Sequence, residues 1–179
     1  IIPNGSPYES NKLSERQQII KTRCEESNLP IIYLNLVGGQ DDLVFDGGSF
    51  VYDNRGTIVC QFPQFLEKTE QVIFEQRKNG WAPLPKLVAE IGSRESQDYK
   101  AVVLGLRDYV LKSNFHKVVI GLSGGIDSAL VAVMAVDALG ADNVVCLALP
   151  SKFNSSASLD DAKKLSENLG ITLETIGIQ

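Results

Sequence analysis

Apolar and polar positions fall into blocks that predict two α/β assemblies in succession. Ile1-Ile2-Pro3-Asn4 reads as the tail of a strand, and residues 3–12 are a polar stretch full of turn formers. Ser14 followed three positions later by Gln17 fits a capping box, which predicts a helix over 16–27. Ile19, Ile20, Arg23 and Cys24 then lie on or beside one face, and Pro30 closes the helix. Residues 31–36 predict a short strand buried on both faces. Residues 37–48 hold four glycines and predict a loop. Residues 49–53 and 57–62 predict two strands joined through Asn54-Arg55-Gly56, a hairpin signal.

Periodicity fades over 63–93, which hold Pro63, Pro83 and Pro85. This stretch predicts a connection between two domains. Phe62, Phe65, Phe74 and Trp81 predict that it packs on a surface rather than swinging free. Helical spacing then returns at Tyr99, Val102, Val103, Leu106, Tyr109 and Val110, predicting an amphipathic helix over 95–112. A buried strand over 117–122, a Gly-rich turn, a helix over 128–139 and a strand over 143–149 follow. After a polar loop at 150–158, Ser158 is placed to cap a helix over 159–169, with Asp160 and Asp161 in its first turn and Gly170 at its end. A strand over 172–178 ends the chain. Strands alternating with helices at this spacing predict a parallel sheet, whose ligands sit beyond the carboxyl ends of the strands. The domain reading is 1–62, a connection at 63–93, and 94–179.

Composition narrows the partners. The 179 residues are 44% apolar and 22% charged, as in ordinary globular proteins. The net charge is −5, and acidic residues outnumber basic ones both before and after residue 88. That argues against a basic nucleic-acid-binding surface. Cys24, Cys60 and Cys146 are odd in number and widely spaced, which suits reduced thiols in the cytoplasm better than a disulfide framework. His116 alone cannot build a histidine metal site. No apolar run reaches membrane-spanning length, and no membrane partner is expected. The chain lacks an initiator Met and begins and ends on strand-like segments, so it reads as an interior fragment of a longer protein.

The chemistry concentrates in Gly121-Leu122-Ser123-Gly124-Gly125-Ile126-Asp127-Ser128. An apolar strand runs into a glycine turn and then into a helix N-terminus, where backbone N–H groups are unpaired and the helix dipole favours anions. No lysine follows the glycines, so this is not a Walker loop. Gly121, Gly124 and Gly125 do not give the dinucleotide spacing either. Gly124 and Gly125 let backbone approach phosphate, and Ser123 and Ser128 add hydroxyls. A carboxylate at Asp127 would repel bare phosphate but makes sense on Mg²⁺ that bridges phosphate oxygens. The plainer alternative is a simple βα turn with Asp127 as a first-turn cap.

The hexapeptide Ser123-Gly124-Gly125-Ile126-Asp127-Ser128 is the pyrophosphate-loop signature of ATP pyrophosphatases. With Ala148-Leu149-Pro150-Ser151-Lys152-Phe153 and Ser158-Leu159-Asp160-Asp161-Ala162 it resembles the first part of the NAD⁺ synthetase family. That family usually has Arg-Tyr where this chain has Lys152-Phe153. The upstream half resembles the nitrilase-type glutamine amidotransferase domain of the family's glutamine-dependent form. Asn4-Gly5-Ser6-Pro7-Tyr8 with Lys12, residues 33–41 and residues 43–49 carry that likeness. Family members often have Ala at Gly5 and Gly at Asn11. The resemblance implies an α/β fold class: the C-terminal part of a nitrilase-like α/β sandwich, then the first part of a Rossmann-like parallel-sheet ATP pyrophosphatase domain.

It also implies a ligase that amidates deamido-NAD⁺ to NAD⁺ through an adenylate, using ATP, Mg²⁺ and ammonia from glutamine. Residues 121–128 would bind ATP, Asp127 would hold the metal, and adenine would lie near the end of the strand over 143–149. Ser6 and Lys12 match glutamine-binding positions, although alone they read as a turn former and a solvated lysine. The Glu-Lys-Cys triad that hydrolyses glutamine is expected ahead of Ile1, so no catalytic residue is expected in this chain. A cytoplasmic homo-oligomer is expected. The alternatives are another pyrophosphate-loop adenylating ligase and a non-catalytic nucleotide-binding subunit.

Overall fold

The structure, a computed structural model, describes residues 1–78, 80–150 and 156–177. The chain divides into two compact units, Ile1–Ala101 and Val102–Gln179. The expected 63–93 connection falls inside the first unit, and the division lies within a helix that begins at Arg94.

In the first unit, strand β1 (Ile2–Asn4) leads through helix α1 (Lys12–Ser27) to strand β2 (Ile31–Asn35). Strands β5 (Phe50–Tyr52) and β6 (Ile58–Gln61) complete a sheet in the order β1-β2-β5-β6. β1 and β2 are parallel and the other two pairings are antiparallel. The α1 stripe Leu13, Ile20, Cys24 covers one sheet face, where it meets Tyr33, Phe50 and Tyr52. Tyr33 and Phe50 are cross-strand neighbours, and their rings stack at 4.9 Å. The opposite face buries Val51, Val59 and Cys60 against Phe62, Val72 and Phe74.

Several expectations change here. No capping box forms at Ser14: α1 starts from Asn11 in the left-handed conformation, and the Ser14 hydroxyl donates to the Asn11 carbonyl at 2.7 Å. β2 is not buried on both faces, because Leu34 is about half exposed between buried Tyr33 and Asn35. The glycine-rich stretch expected as a loop forms a hairpin, β3 (Val37–Gln40) with β4 (Leu43–Asp46). Residues 63–93 contain a second hairpin, β7 (Phe74–Arg77) with β8 (Gly80–Pro83). The segment after it runs along β6, where Lys86 N–H donates to Val59 O at 2.8 Å and Ala89 N–H to Gln61 O at 3.0 Å. Backbone pairing, more than aromatic packing, ties this segment down. Phe62 and Phe74 do pack inward, but Trp81 is 55% exposed.

Helix α2 (Arg94–Lys112) crosses the division. Of its expected apolar face only Val110 is fully buried, beside Ala101 and Leu104, while Val102 and Tyr109 are exposed. The second unit then runs β9 (Val118–Gly121), α3 (Ile126–Leu139), β10 (Val144–Ala148), α4 (Ser156–Leu169), β11 (Thr172–Thr175). The sheet order is β11-β10-β9, all parallel, as the alternating pattern predicts. Small residues Ala132, Ala135 and Ala162 bring α3 and α4 close to Val144 and Cys146. β9 is not the fully buried strand expected, since Val119 is 65% exposed between half-buried neighbours. Both helices start earlier than expected, α3 at Ile126 rather than Ser128 and α4 at Ser156 rather than Leu159. Most of the expected 150–158 loop, including Lys152-Phe153, lies outside the described residues.

Candidate functional site

The Gly-rich turn leaves the sheet at the carboxyl end of β9. Buried Leu122 fixes its start, with its N–H donating to the Leu147 carbonyl at 2.8 Å. Gly125 is the extended residue ahead of α3, and no side chain caps the helix. Ile126, Asp127 and Ser128 therefore form an uncapped first turn whose N–H groups have no acceptor within the helix. The dipole adds partial positive charge there.

The two serines hold the shape of the turn. Ser128 Oγ donates to the Gly125 carbonyl at 3.0 Å and accepts from Ser123 N–H at 3.2 Å. The two hydroxyl oxygens lie 3.0 Å apart, and Ser123 Oγ accepts from Gly125 N–H at 3.2 Å. With the Ser128 proton on Gly125, the Ser123 proton bridges the two oxygens. Both hydroxyls are then engaged inside the turn, and the first-turn N–H groups of α3 are left without a side-chain cap. Ser158 does not stand ahead of α4 as a cap. It lies in the helix's first turn, and its carbonyl comes so near that a Cβ on Gly124 would sit 2.2 Å away.

Beside the turn is a cavity of about 220 Å³, bounded by Gly121 and Ser123, by Leu147 and Leu149 at the end of β10, and by Pro150 and Leu159. Its lining is mostly apolar, with Ser123 and Ser158 as the polar members, and suits a flat ring with polar edges. Asp127 is exposed and is the sole carboxylate in residues 121–128. Among the described residues no group of three His, Cys, Asp or Glu could hold a metal unaided. A lone carboxylate beside anion-binding N–H groups still fits Mg²⁺ arriving with phosphate, since that ion takes one or two carboxylates and completes its shell with phosphate and water.

The expected glutamine pair lies in the first unit. Ser6 is half-buried, and Lys12 stands 3.5 Å from Glu9 and 3.7 Å from Glu15, both exposed acids. The residue that grips Ser6 is not Lys12 but Arg16. Arg16 Nε donates to Ser6 Oγ at 3.1 Å, and Nη2 donates to the carbonyls of Ser6 at 3.0 Å and Pro7 at 2.7 Å. Its Nη1 meets Asp46 at 2.8 Å, in an ion pair with both side chains at most 5% exposed. Asn35 holds the Ser6 backbone from the other side, accepting from its N–H at 2.9 Å and donating to its carbonyl at 3.0 Å. Sequence reasoning missed Arg16. The available signal was a charged residue in register with the apolar α1 stripe at Leu13, Ile20 and Cys24.

Tyr8 donates from its hydroxyl to Asp98 at 2.7 Å. Burial, and then the Asp98 carboxylate, push the Tyr8 pKa up to about 12. The folded state thus holds this proton more tightly than the unfolded chain does. The contribution is complete below the ordinary tyrosine range and is lost as pH rises toward 12. Tyr8→Phe is expected to lower stability by about 1 kcal/mol in urea unfolding at neutral pH, a modest loss because Asp98 is about half exposed. All three cysteines are free and buried, and burial raises each thiol's pKa, so none is a poised nucleophile. Among the described residues no helix is long and apolar enough to cross a membrane.

The NAD synthase family matches residues 98–179. Along its whole length the chain is 52% identical to the glutamine-dependent NAD(+) synthetase of Rhodobacter capsulatus, and it spans 32% of that protein. It is 44% identical to the enzyme of the same name from Xanthomonas campestris pv. campestris (strain 8004), again spanning 32%. The solved glutamine-dependent NAD+ synthetase from Acinetobacter baumannii, in complex with adenosine diphosphate, superposes on the whole chain with a TM-score of 0.91 at 37% identity. The chain covers 34% of that structure. The chain is thus similar to the glutamine-dependent NAD(+) synthetases along its whole length and spans about a third of theirs, and its residues 98–179 match the NAD synthase family.

Proposed function

We propose that the protein is a glutamine-dependent NAD⁺ synthetase. The observation that carries this is the uncapped α3 N-terminus at the carboxyl end of β9, opening beside a cavity at the end of β10, in a chain that matches those enzymes throughout. In this reading the backbone N–H groups of Ile126, Asp127 and Ser128 receive ATP phosphate, and Ser123 and Ser128 keep the turn rigid. The cavity beside Leu147 and Leu149 takes adenine. Asp127 would hold Mg²⁺, which would neutralise phosphate charge.

The nicotinate carboxylate of deamido-NAD⁺ attacks the α-phosphorus of ATP and pyrophosphate leaves. Ammonia then displaces AMP from the adenylate to give the amide of NAD⁺. What this chain contributes is placement and preorganised donors around a charged phosphoryl centre. The first unit, a sheet covered by α1 with the Ser6 turn at its edge, is read as the C-terminal part of a nitrilase-like amidotransferase sandwich. Ser6 and Lys12 contact the glutamine that supplies ammonia. Reduced buried thiols suit a cytoplasmic protein, and the assembly is read as a homo-oligomer. A coupled assay of the intact protein with glutamine, ATP and deamido-NAD⁺ tests the reading. NAD⁺ formation dependent on all three is expected; a folded protein that makes none would overturn it.

A further inference from the structure

Arg16 constrains the Ser6 hydroxyl chemically as well as sterically. A guanidinium has donors and no acceptors, so its Nε–H makes Ser6 Oγ an acceptor on the buried side. The serine proton must then point elsewhere, and among the described residues no acceptor for it is seen. Ser6 is half-buried, which leaves that proton an outward path. The Ser6 backbone cannot turn to relieve this, because Asn35 and Arg16 together hold its N–H and its carbonyl. Asp46 fixes the guanidinium in turn, and its second carboxylate oxygen accepts from Gln64 Nε2 at 2.8 Å.

We propose that Arg16 is a positioning residue that presents Ser6 to glutamine as a hydrogen-bond donor, aimed at an oxygen of the substrate rather than at its amide or amino nitrogen. This rests on the reading of Ser6 as a glutamine contact. Lys cannot reproduce the arrangement, since one ammonium cannot reach Asp46, Ser6 Oγ and two carbonyls together.

The test is a double-mutant cycle in the intact protein, with NAD⁺ synthesis driven by glutamine and separately by ammonium. Arg16→Lys should raise the KM for glutamine about tenfold and leave the KM for ammonium unchanged. Ser6→Ala should raise the glutamine KM similarly. The double variant should be no worse than Ser6→Ala alone, because Arg16 acts through the hydroxyl. An unchanged glutamine KM in Ser6→Ala removes the glutamine reading of Ser6, and the proposal with it. A raised KM in Ser6→Ala with additive effects, or with none from Arg16→Lys, overturns the positioning role and leaves the glutamine reading standing. A variant that folds poorly still gives a KM from its folded fraction, which the ammonium-driven rate counts. Should Arg16→Lys give no folded protein, Arg16→Met combined with Asp46→Asn removes both buried ions at once and takes its place in the cycle, with the same expectations.

Discussion

Gly124→Ala is expected to weaken ATP binding at least ~100-fold, with little loss in the core of the second unit. Two independent costs meet at this position. Its φ is +82, a conformation that L side chains rarely adopt. An added methyl would also sit 2.2 Å from the Ser158 carbonyl oxygen and 2.8 Å from the Ser158 carbonyl carbon. Both obstacles are backbone, so no side-chain rotation relieves them. Either the turn changes shape, breaking the link between Ser123 and Ser128, or the first turn of α4 moves away. In either case the cavity and the α3 N–H groups lose their mutual placement. The buried cluster around Cys146 and Ala132 does not include Gly124, so the unit should remain folded. Calorimetric titration of the intact protein with ATP and Mg²⁺, alongside thermal unfolding, separates the two outcomes. Gly125→Ala is the control: Gly125 has an ordinary extended φ of −87, and among the described residues its Cβ would meet only the Ser123 hydroxyl, at 3.3 Å. Equal losses from the two substitutions would show that the turn tolerates no side chain at all, and the specific role of the Ser158 contact would fall.

The two glycines show how far the sequence could be read. Their position between an apolar strand and an apolar helix made the turn, its element order and the parallel sheet legible, because period and punctuation are local signals. What the sequence did not disclose was the partner. Nothing near Gly124 announces that Ser158, more than thirty positions later, presses its carbonyl against it, because that contact is made by tertiary packing. The helix starts are obscured for a related reason. Ser158 and Ser14 are good capping residues by type, yet both lie inside helices that begin earlier. In the first unit, the β3–β4 hairpin was hidden by Gly38 and Gly39, which lack the side chains that reveal strand alternation. The Arg16–Asp46 pair was hidden by distance along the chain, since it joins a helix to a strand thirty residues away. Ser6 could be named from a motif, but its donor role follows only from seeing what accepts and what donates around it.

Asp127→Ala is expected to lower ATP-dependent NAD⁺ synthesis by at least ~10³-fold while leaving glutamine hydrolysis at least partly active. The opposing account is that Asp127 simply complements the helix dipole in the first turn of α3. The two accounts differ in magnitude. An acidic first-turn residue on an exposed helix end contributes roughly 0.3–1 kcal/mol to stability, too little to abolish a reaction in a folded protein. A carboxylate that holds the metal on phosphate has no substitute in this turn, since residues 121–128 contain no other acid. Asp127→Asn sharpens the comparison by keeping the shape and hydrogen bonds while removing the charge. Under the metal-holding reading both variants lose synthesis, and ADP affinity no longer rises on adding Mg²⁺. Under the helix-cap account both remain active, with a slightly lower melting temperature. Normal synthesis by Asp127→Ala would remove the role assigned here. Parallel loss of synthesis and glutamine hydrolysis in a folded variant would instead show that the residue serves both activities, and not the nucleotide alone.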